Sequence, residues 1–416
     1  MARRAEGVRA WTPWRVVVMF GVTSLAADLV YEGARSVYGP LLASLGAGAV
    51  VVGGVTGAGE AAALVLRLVF GPWADRSGRY WATAIAGYAL TVVAVPLMAV
   101  SPFVGGAGLV VASALILLER TGKAVRSPAK TALLAHVAQA VGRGRGFGVH
   151  KAMDQTGAFI GPLLVAGVVA VTGALWAGLA VLAVPGVIAM AVLVATRVRV
   201  PDPAAYDTSS GAHDAGRPAP RGWLAEAGGA GLPAAFFWYA AAASLMTGGL
   251  VTFGLIGYHL TVSRLASDAL VPVLYSGGML AEAVGALVVG WLYDRVGPRV
   301  LYAVPVLVAL VPGLAMSARL GVALAGIVVW GLAFGLQDST IKALVAEVVE
   351  APRRATAYGV FAAIQGAAAF GGGLLAGWLY ERSLRALVVG VGAVQVLALV
   401  LLVVSFRSIT RHRAGH

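Results

Sequence analysis

The chain has 416 residues, of which 59% are hydrophobic and only 12% are charged, and its mean hydropathy is +0.86. Soluble domains carry about a quarter charged residues, so this composition indicates a membrane protein. The absence of cysteine excludes disulfides and thiolate metal sites. The net charge of +13 is also typical of nucleic-acid binding, but the placement of the basic residues indicates membrane topology instead, and no nucleic-acid partner is expected.

Twelve apolar segments are each long enough, at about 20 residues, to cross a bilayer as a helix. The pattern predicts an all-α polytopic membrane protein with the spans 14–40, 49–72, 80–100, 104–128, 147–170, 174–195, 233–260, 269–292, 300–318, 320–344, 357–379 and 384–406. The fourth span is the least apolar, because it runs into ERTGKAVRSPAK. No signal-peptide cleavage pattern follows the basic start of the chain, so we expect the first span to remain as an uncleaved helix.

The connecting loops of a twelve-span protein lie alternately on the two sides of the membrane. Of the 31 Lys and Arg residues, nineteen are assigned to one side, four to the opposite side, and the remaining eight lie within the helices or at their ends. The positive-inside rule therefore predicts cytoplasmic termini and a multi-pass protein of the inner (cytoplasmic) membrane.

Residues 197–232 interrupt the apolar pattern, because this stretch is rich in Pro, Gly, Ala and charge. It predicts a flexible cytoplasmic linker, and a small folded domain is the alternative. The linker separates an N-terminal six-helix bundle, 1–196, from a C-terminal six-helix bundle with a short basic tail, 233–416.

The two halves repeat one another in sequence. At an offset of 211 residues, GVHKAMDQTGAFIGPLLVAG aligns with GVFAAIQGAAAFGGGLLAGW, and TALLAHV aligns with KALVAEV. GPWADRSGRY (71–80) matches GWLYDRVGPR (290–299) at an offset of 219, and the first span matches the seventh more loosely at 220. Two like-oriented six-helix bundles are the layout of a secondary transporter, with a substrate site between them near mid-membrane.

These repeats resemble the major facilitator superfamily over essentially the whole chain, with likeness to its bacterial drug/proton antiporters. The family's motif between spans two and three, here called the turn motif, is matched by Gly71, Asp75, Arg76, Gly78 and Arg79, and its copy by Gly290, Asp294, Arg295, Gly297 and Arg299. The resemblance implies two pseudo-symmetric bundles that work by alternating access. It also implies that Asp75 meets the start of the eleventh span, at the positive end of the helix dipole, together with a basic partner, and so latches the outward-facing state. A plain polar turn is the alternative.

The fifth span carries a partial match to a second family motif, GxxxGPxxGG, which is linked with antiport. Gly157, Gly161 and Pro162 match, whereas Val165 and Ala166 replace the final glycines. The match favours export by antiport over import. Small residues four apart also allow helices to approach closely, so tight packing is the alternative.

Charged side chains within the spans are costly, at roughly 2.5–3.5 kcal/mol each near mid-bilayer. Asp28, Glu32 and Arg35 share one face of the first span, with Tyr31 beside it. We expect this face to line the cavity and to carry proton coupling or substrate binding, with Asp154 of the fifth span as the next candidate.

A second set of charges lies in spans two and four. We predict a structural charge network, with direct substrate contact as the alternative, formed by Glu60, Arg67, Glu119, Arg120, Lys123 and Arg126. The second half of the chain offers fewer such groups, among them Glu282 in the eighth span and Gln337 in the tenth.

The sequence favours transport over catalysis. Gly122 and Lys123 mimic the end of a phosphate-binding loop, but the first glycine and the final Ser or Thr are missing, and the six His lack metal-ligand spacing. We therefore predict no enzyme activity and no cofactor, but a monomeric, proton-coupled exporter of small, amphiphilic molecules. The alternatives are a proton symporter that imports a polar or anionic metabolite, and a non-transporting membrane sensor or lipid-handling protein.

Overall fold

A computed structural model describes residues 11–206, 232–349 and 353–414. The described residues are almost entirely helical and contain no strand. They form twelve membrane crossings, which are α1 (Pro13–Arg35, continued by Tyr38–Ser44), α2 (Ala49–Ser77), α3 (Tyr80–Leu97), α4 (Gly108–Val141), α5 (Arg143–Thr172), α6 (Leu175–Ala180 and Ala183–Arg199), α7 (Ala234–Gly249 and Phe253–Val262), α8 (Leu270–Val296), α9 (Ala303–Ala315), α10 (Leu320–Val348), α11 (Arg354–Arg382) and α12 (Leu384–Ala414).

The predicted all-α polytopic fold is confirmed. Ten stretches of the described chain are long and apolar enough to cross a membrane, and one of them, the 46-residue Leu270–Ala315, contains both α8 and α9. α4 is not among the ten, because Glu119, Arg120 and Lys123 interrupt its apolar part. Both α1–α6, here called the first half, and α7–α12, the second half, are bundles of six crossings.

Several helices extend beyond their predicted ends. α4 continues past the predicted residue 128 to Val141, with Pro128 inside it, and α2 continues past residue 72 to Ser77. Apolar length sets where a helix crosses the bilayer but not where it ends, because polar residues continue the same backbone hydrogen-bonding pattern beyond the apolar core. The stop of α2 is local: Gly78 adopts φ of 62°, a left-handed conformation that glycine tolerates best.

The predicted linker 197–232 differs from the structure at its start. α6 continues through Arg199, and residues Pro203–Tyr206 form a 3₁₀ turn. The hydroxyl of Tyr206 donates a hydrogen bond of 2.6 Å to the carbonyl of Trp11, which ties this turn to the start of α1. The remainder of the predicted linker, 207–231, lies outside the described residues.

The two faces of the molecule differ in how the halves meet. The face where α2 and α8 end and where α5 and α11 begin is here called the basic face, and the other is the opposite face. Towards the opposite face, α2 and α11 touch through glycine: a Cβ added at Gly57 would lie 3.2 Å from the Cα of Gly373. Thr56 and Thr252 share a hydrogen bond of 2.8 Å there, and the amide of Val50 donates to Glu381 at 3.0 Å. The halves are therefore closed at the opposite face.

Candidate functional site

A cavity of about 400 Å³ lies between the two halves. It is lined by α1, α2, α4 and α5 of the first half and by α7, α8, α10 and α11 of the second half. Every residue that the sequence assigned to proton coupling or to the charge network lines it, except Glu119. Its volume lies within the range of small-molecule pockets, and its position matches a substrate site between repeats.

Glu60 of α2 connects the two predicted sets of charges. Its Oε1 lies 2.5 Å from Nη2 of Arg35 on α1 and 3.3 Å from Nη2 of Arg120 on α4. Both arginine side chains are buried, whereas 27% of the Glu60 side chain is exposed to the cavity. The coupling face of α1 and the charge network are therefore one network.

Tyr31 and Glu119 continue this network behind Arg120. Arg120 donates a hydrogen bond to the hydroxyl of Tyr31, and its Nε lies 3.6 Å from Oε2 of Glu119. Glu119 is fully buried and also accepts a hydrogen bond of 3.2 Å from the hydroxyl of Tyr38. Its position behind the arginine explains why it holds the network without facing the cavity.

Glu32 joins the two halves directly. The hydroxyl of Tyr275 on α8 donates a hydrogen bond to Oε2 of Glu32, and Nη1 of Arg35 lies 3.8 Å from the same oxygen. Both Tyr275 and Glu32 are buried. Sequence reasoning missed Tyr275, because a neutral tyrosine in an apolar helix carries no signal of such a contact.

A second group of charges lies nearer the basic face. Asp28 pairs with Arg126 at 3.6 Å, and Asp154 of α5 pairs with Lys130 at 3.8 Å and with Lys151 at 3.6 Å. The Lys151 side chain is 59% exposed, whereas Glu32 and Arg35 are buried at the far end of the cavity. Exposure thus increases along the cavity towards the basic face. Lys130 was not identified from the sequence.

The turn motif lies exposed at the basic face. Asp75 and Arg76 belong to the last turn of α2, not to a loop, and Asp75 accepts a hydrogen bond of 3.0 Å from the hydroxyl of Tyr80. Asp75 forms no ion pair with any described residue, so the predicted basic partner is not engaged in this state. In the copy, the guanidinium carbon of Arg295 lies 3.7 Å from the ring centroid of Trp291, while Asp294 is exposed.

The glycines of the α5 motif pack against α1. A Cβ added at Gly157 would lie 3.1 Å from the Cβ of Asp28, and one added at Gly161 would lie 2.8 Å from the Cα of Leu29. Pro162 follows within the helix. These contacts fit the packing interpretation of the motif.

Comparison with known protein families shows which family the chain belongs to. The family model described as Major Facilitator Superfamily matches residues 20–273 and 252–415. The chain belongs to the Major Facilitator Superfamily. The resemblance to the superfamily that the turn motifs and the repeat carry is thereby confirmed, and the family and fold make the protein a secondary transporter with a small-molecule substrate.

Relatives in this superfamily include proteins without an assigned substrate. The uncharacterized protein Rv2265 of Mycobacterium tuberculosis is 50% identical over 395 residues, which cover 94% of this chain and 93% of that protein. The uncharacterized MFS-type transporter MJ1317 of Methanocaldococcus jannaschii is 28% identical over 148 residues, or 36% of each chain.

Solved structures of the superfamily share the fold. The nucleoside transporter NupG, as a D323A mutant, has a TM-score of 0.73 at 14% identity and covers 93% of this chain and 99% of its own. A peptide transporter POT in complex with sulfate has a TM-score of 0.74 at 15% identity, covering 98% and 96%. A bacterial homolog of the human lysosomal transporter Spinster, inward-facing and unoccupied, has a TM-score of 0.67 at 14% identity, covering 95% and 96%. At these identities the likeness concerns the fold alone.

Proposed function

We propose that this transporter moves a small polar molecule across the cytoplasmic membrane by alternating access, coupled to protons. The observation that carries the proposal is the charged cavity between the halves, which is closed at the opposite face and lined by ion pairs that reach towards the basic face. A charge-lined cavity suits a ligand that replaces water at those charges, whereas an apolar ligand would leave them desolvated. This favours the polar substrate over an amphiphilic drug.

Proton coupling is assigned to Glu32. When ionised, this carboxylate accepts the Tyr275 hydrogen bond from the second half and lies beside Arg35. Protonation removes the charge that both contacts depend on, so it weakens the contact between the halves and frees Arg35 to pair with Glu60 alone. A proton that moves inward contributes roughly 2.3 kcal/mol per 100 mV of membrane potential, which is enough to bias the cycle.

The orientation follows from the basic residues. We assign the basic face to the cytoplasm, because loops rich in Lys and Arg remain on that side, so both termini are cytoplasmic. The state described here, closed at the opposite face, is then inward-facing, and the disengaged Asp75 agrees with a latch that forms only in the outward-facing state. One chain contains the whole cavity, which is compatible with a monomer.

Export by antiport is the second candidate, and the partial α5 motif is the observation that favours it. Gradient direction separates it from import: an antiporter accumulates substrate inside liposomes whose lumen is acidic, whereas a symporter requires the acidic medium outside.

The test uses purified protein in liposomes loaded with a pH-sensitive dye. A panel of amino acids, dipeptides, nucleosides, sugars and organic acids is added to one side, with an imposed pH gradient of either sign. We expect at least one compound to move protons above the rate in empty liposomes. If the protein is folded and inserted but none of the compounds causes proton movement, the proposal fails and the sensor alternative gains support.

A further inference from the structure

Three charged side chains line the cavity without a partner of opposite charge. Arg67, Lys123 and Glu282 form no ion pair with any residue in the described part of the chain, although the other charges of the first-half wall are paired. Removing an unpaired charge from water is expensive. Within an otherwise paired cavity, such groups mark where the charges of a ligand can lie.

Two of the three are positive and lie on the first-half wall. The Nε of Arg67 on α2 is buried and has no hydrogen-bond partner among the described residues. The Nζ of Lys123 on α4 lies 3.6 Å from the ring centroid of Tyr31, a cation–π contact that leaves it without a carboxylate. Because Arg35 and Arg120 already hold Glu60, this acid does not neutralise the two other cations.

The third charge is negative and lies on the second-half wall. Glu282 of α8 is only 9% exposed, lines the cavity and makes no hydrogen bond or ion pair with a described residue. Gln337 of α10, which also lines the cavity, is 8% exposed, and its Nε2 is buried with no hydrogen-bond partner among the described residues. The second-half wall therefore presents one buried acid and one amide donor that has no partner among the described residues, while its other acid, Asp338, is exposed.

The geometry points to a zwitterionic ligand: we propose that the cavity binds a small molecule whose anionic group lies between Arg67 and Lys123 and whose amine lies at Glu282. A simple anion would leave Glu282 unpaired, and a simple cation would leave both basic side chains unpaired. A zwitterion satisfies the two walls together and so links the halves. This inference rests on the proposed function, since it names the class of substrate.

The binding test uses matched probes and full-length wild-type protein in detergent. Amino acids, ω-amino acids and dipeptides are compared with their N-acetyl derivatives, which carry only the negative charge, and with their amides, which carry only the positive charge. Thermal stabilisation is measured first, and titration calorimetry then gives Kd for the compounds that stabilise. We expect at least one zwitterion to bind about tenfold more tightly than either of its singly charged counterparts, as the loss of one charge-assisted contact implies.

Two substitutions assign the ends of the ligand. Glu282→Gln should remove the preference for the zwitterion over its N-acetyl derivative, and Arg67→Gln should remove the preference over its amide. Matched controls outside the cavity, Asp268→Asn and Arg319→Gln, should keep both preferences. If Glu282→Gln fails to fold, Glu282→Asp is used, because it keeps the charge on a shorter side chain. This variant should bind the zwitterion more weakly but still prefer it over its N-acetyl derivative.

The inference is overturned if no zwitterion binds, if a singly charged counterpart binds as tightly, or if the two cavity variants keep both preferences. Flux measurements separate this failure from failure of the proposed function. If a zwitterion binds but shows no gradient-driven flux in liposomes, the proposed binding site is supported and the transport proposal is contradicted. If instead a singly charged compound shows proton-coupled flux, the transport proposal is supported and the proposal of a zwitterionic ligand is contradicted.

Discussion

The two halves of the protein share a fold but not a distribution of charge. An offset of 211 residues aligns α4 with α10. At this offset, three charged residues of α4 correspond to uncharged residues of α10 that line the cavity. The pairs are Glu119 with Trp330, Lys123 with Phe334, and Arg126 with Gln337. The same geometry therefore supports ion pairs on one wall and aromatic rings and amides on the other.

The remaining cavity helices show the same difference. Asp154 corresponds to Gln365 at the same offset, and Glu60 corresponds to Met279 at the offset of 219 that relates the turn motifs. Gln365 donates a hydrogen bond of 2.8 Å to Thr247, so the second-half wall is held by neutral contacts. Two positions differ in the opposite sense: Glu282 stands where the first half has Ala63, and Asp338 stands where it has Ser127.

This difference suggests a division of roles. Alternating access needs only two similar bundles, and backbone repeats provide them. Ion pairs that form and break with protonation need buried charges, and these are concentrated in the first half. The second half then contributes shape, aromatic surface and two acids, Glu282 and Asp338, so the two walls can be perturbed separately.

The largest effect is expected for Glu32→Gln, which removes the acid that links the walls. The neutral amide can still accept the Tyr275 hydrogen bond, but it no longer titrates. Gradient-driven accumulation should therefore be abolished, while ligand binding and exchange of substrate across liposome membranes persist. Exchange and net uptake are measured in the same preparation, with Asp268→Asn as the control.

Retention of full pH-dependent uptake in both Glu32→Gln and Asp28→Asn would place coupling elsewhere. Asp154, which pairs with Lys130 and Lys151, would then be the next residue to replace.

Hydropathy made the bundle predictable from sequence, but the cavity was predictable only in part. The sequence did not predict that α4 continues from residue 129 to Val141, because apolar length marks where a helix crosses the bilayer and not where it ends. The faces of α1 and α4 were readable from helical spacing, but the joining of Arg35 to Glu60 was not, since it depends on how separate helices pack. Tyr275 carried no signal at all.

Glu60→Gln should produce the next largest effect, on stability. It leaves Arg35 and Arg120 without their shared carboxylate, and breaking such a buried pair costs about 3 kcal/mol. Met279→Leu changes the corresponding position of the second half and should cost less than about 1.5 kcal/mol. Thermal unfolding of both variants measures the contrast, and equal losses would contradict the unequal roles of the two walls.

Tyr275→Phe tests the contact between the walls. Loss of one hydrogen bond to a charged carboxylate, worth about 1.5 kcal/mol, should shift the balance about tenfold away from the state closed at the opposite face. The chain has no native cysteine, so Ala158→Cys in the cavity reports access from the basic face to an impermeant maleimide. Labelling should slow in Tyr275→Phe.

The control for that experiment is Tyr258→Phe. Tyr258 contacts Tyr380 edge-on near the opposite face, but its hydroxyl makes no hydrogen bond with a described residue. Labelling at the wild-type rate is expected for this variant. Unchanged labelling in Tyr275→Phe would mean that the Glu32 contact does not hold the halves together.

The smallest effect is expected for Asp75→Asn, which compares the two turn motifs. Asp75 is exposed here and bonded only to Tyr80 among the described residues, so the substitution leaves this state almost untouched. In the outward-facing state, the lost carboxylate would face the start of α11, where a helix dipole contributes about 0.3–1 kcal/mol. The balance should therefore shift roughly two- to fivefold towards the inward-facing state, with faster labelling of Ala158→Cys and slower transport.

Asp294→Asn should have less effect, because Pro298 interrupts the copy of the motif. Equal and severe loss of membrane expression in both variants would instead assign both motifs a structural role.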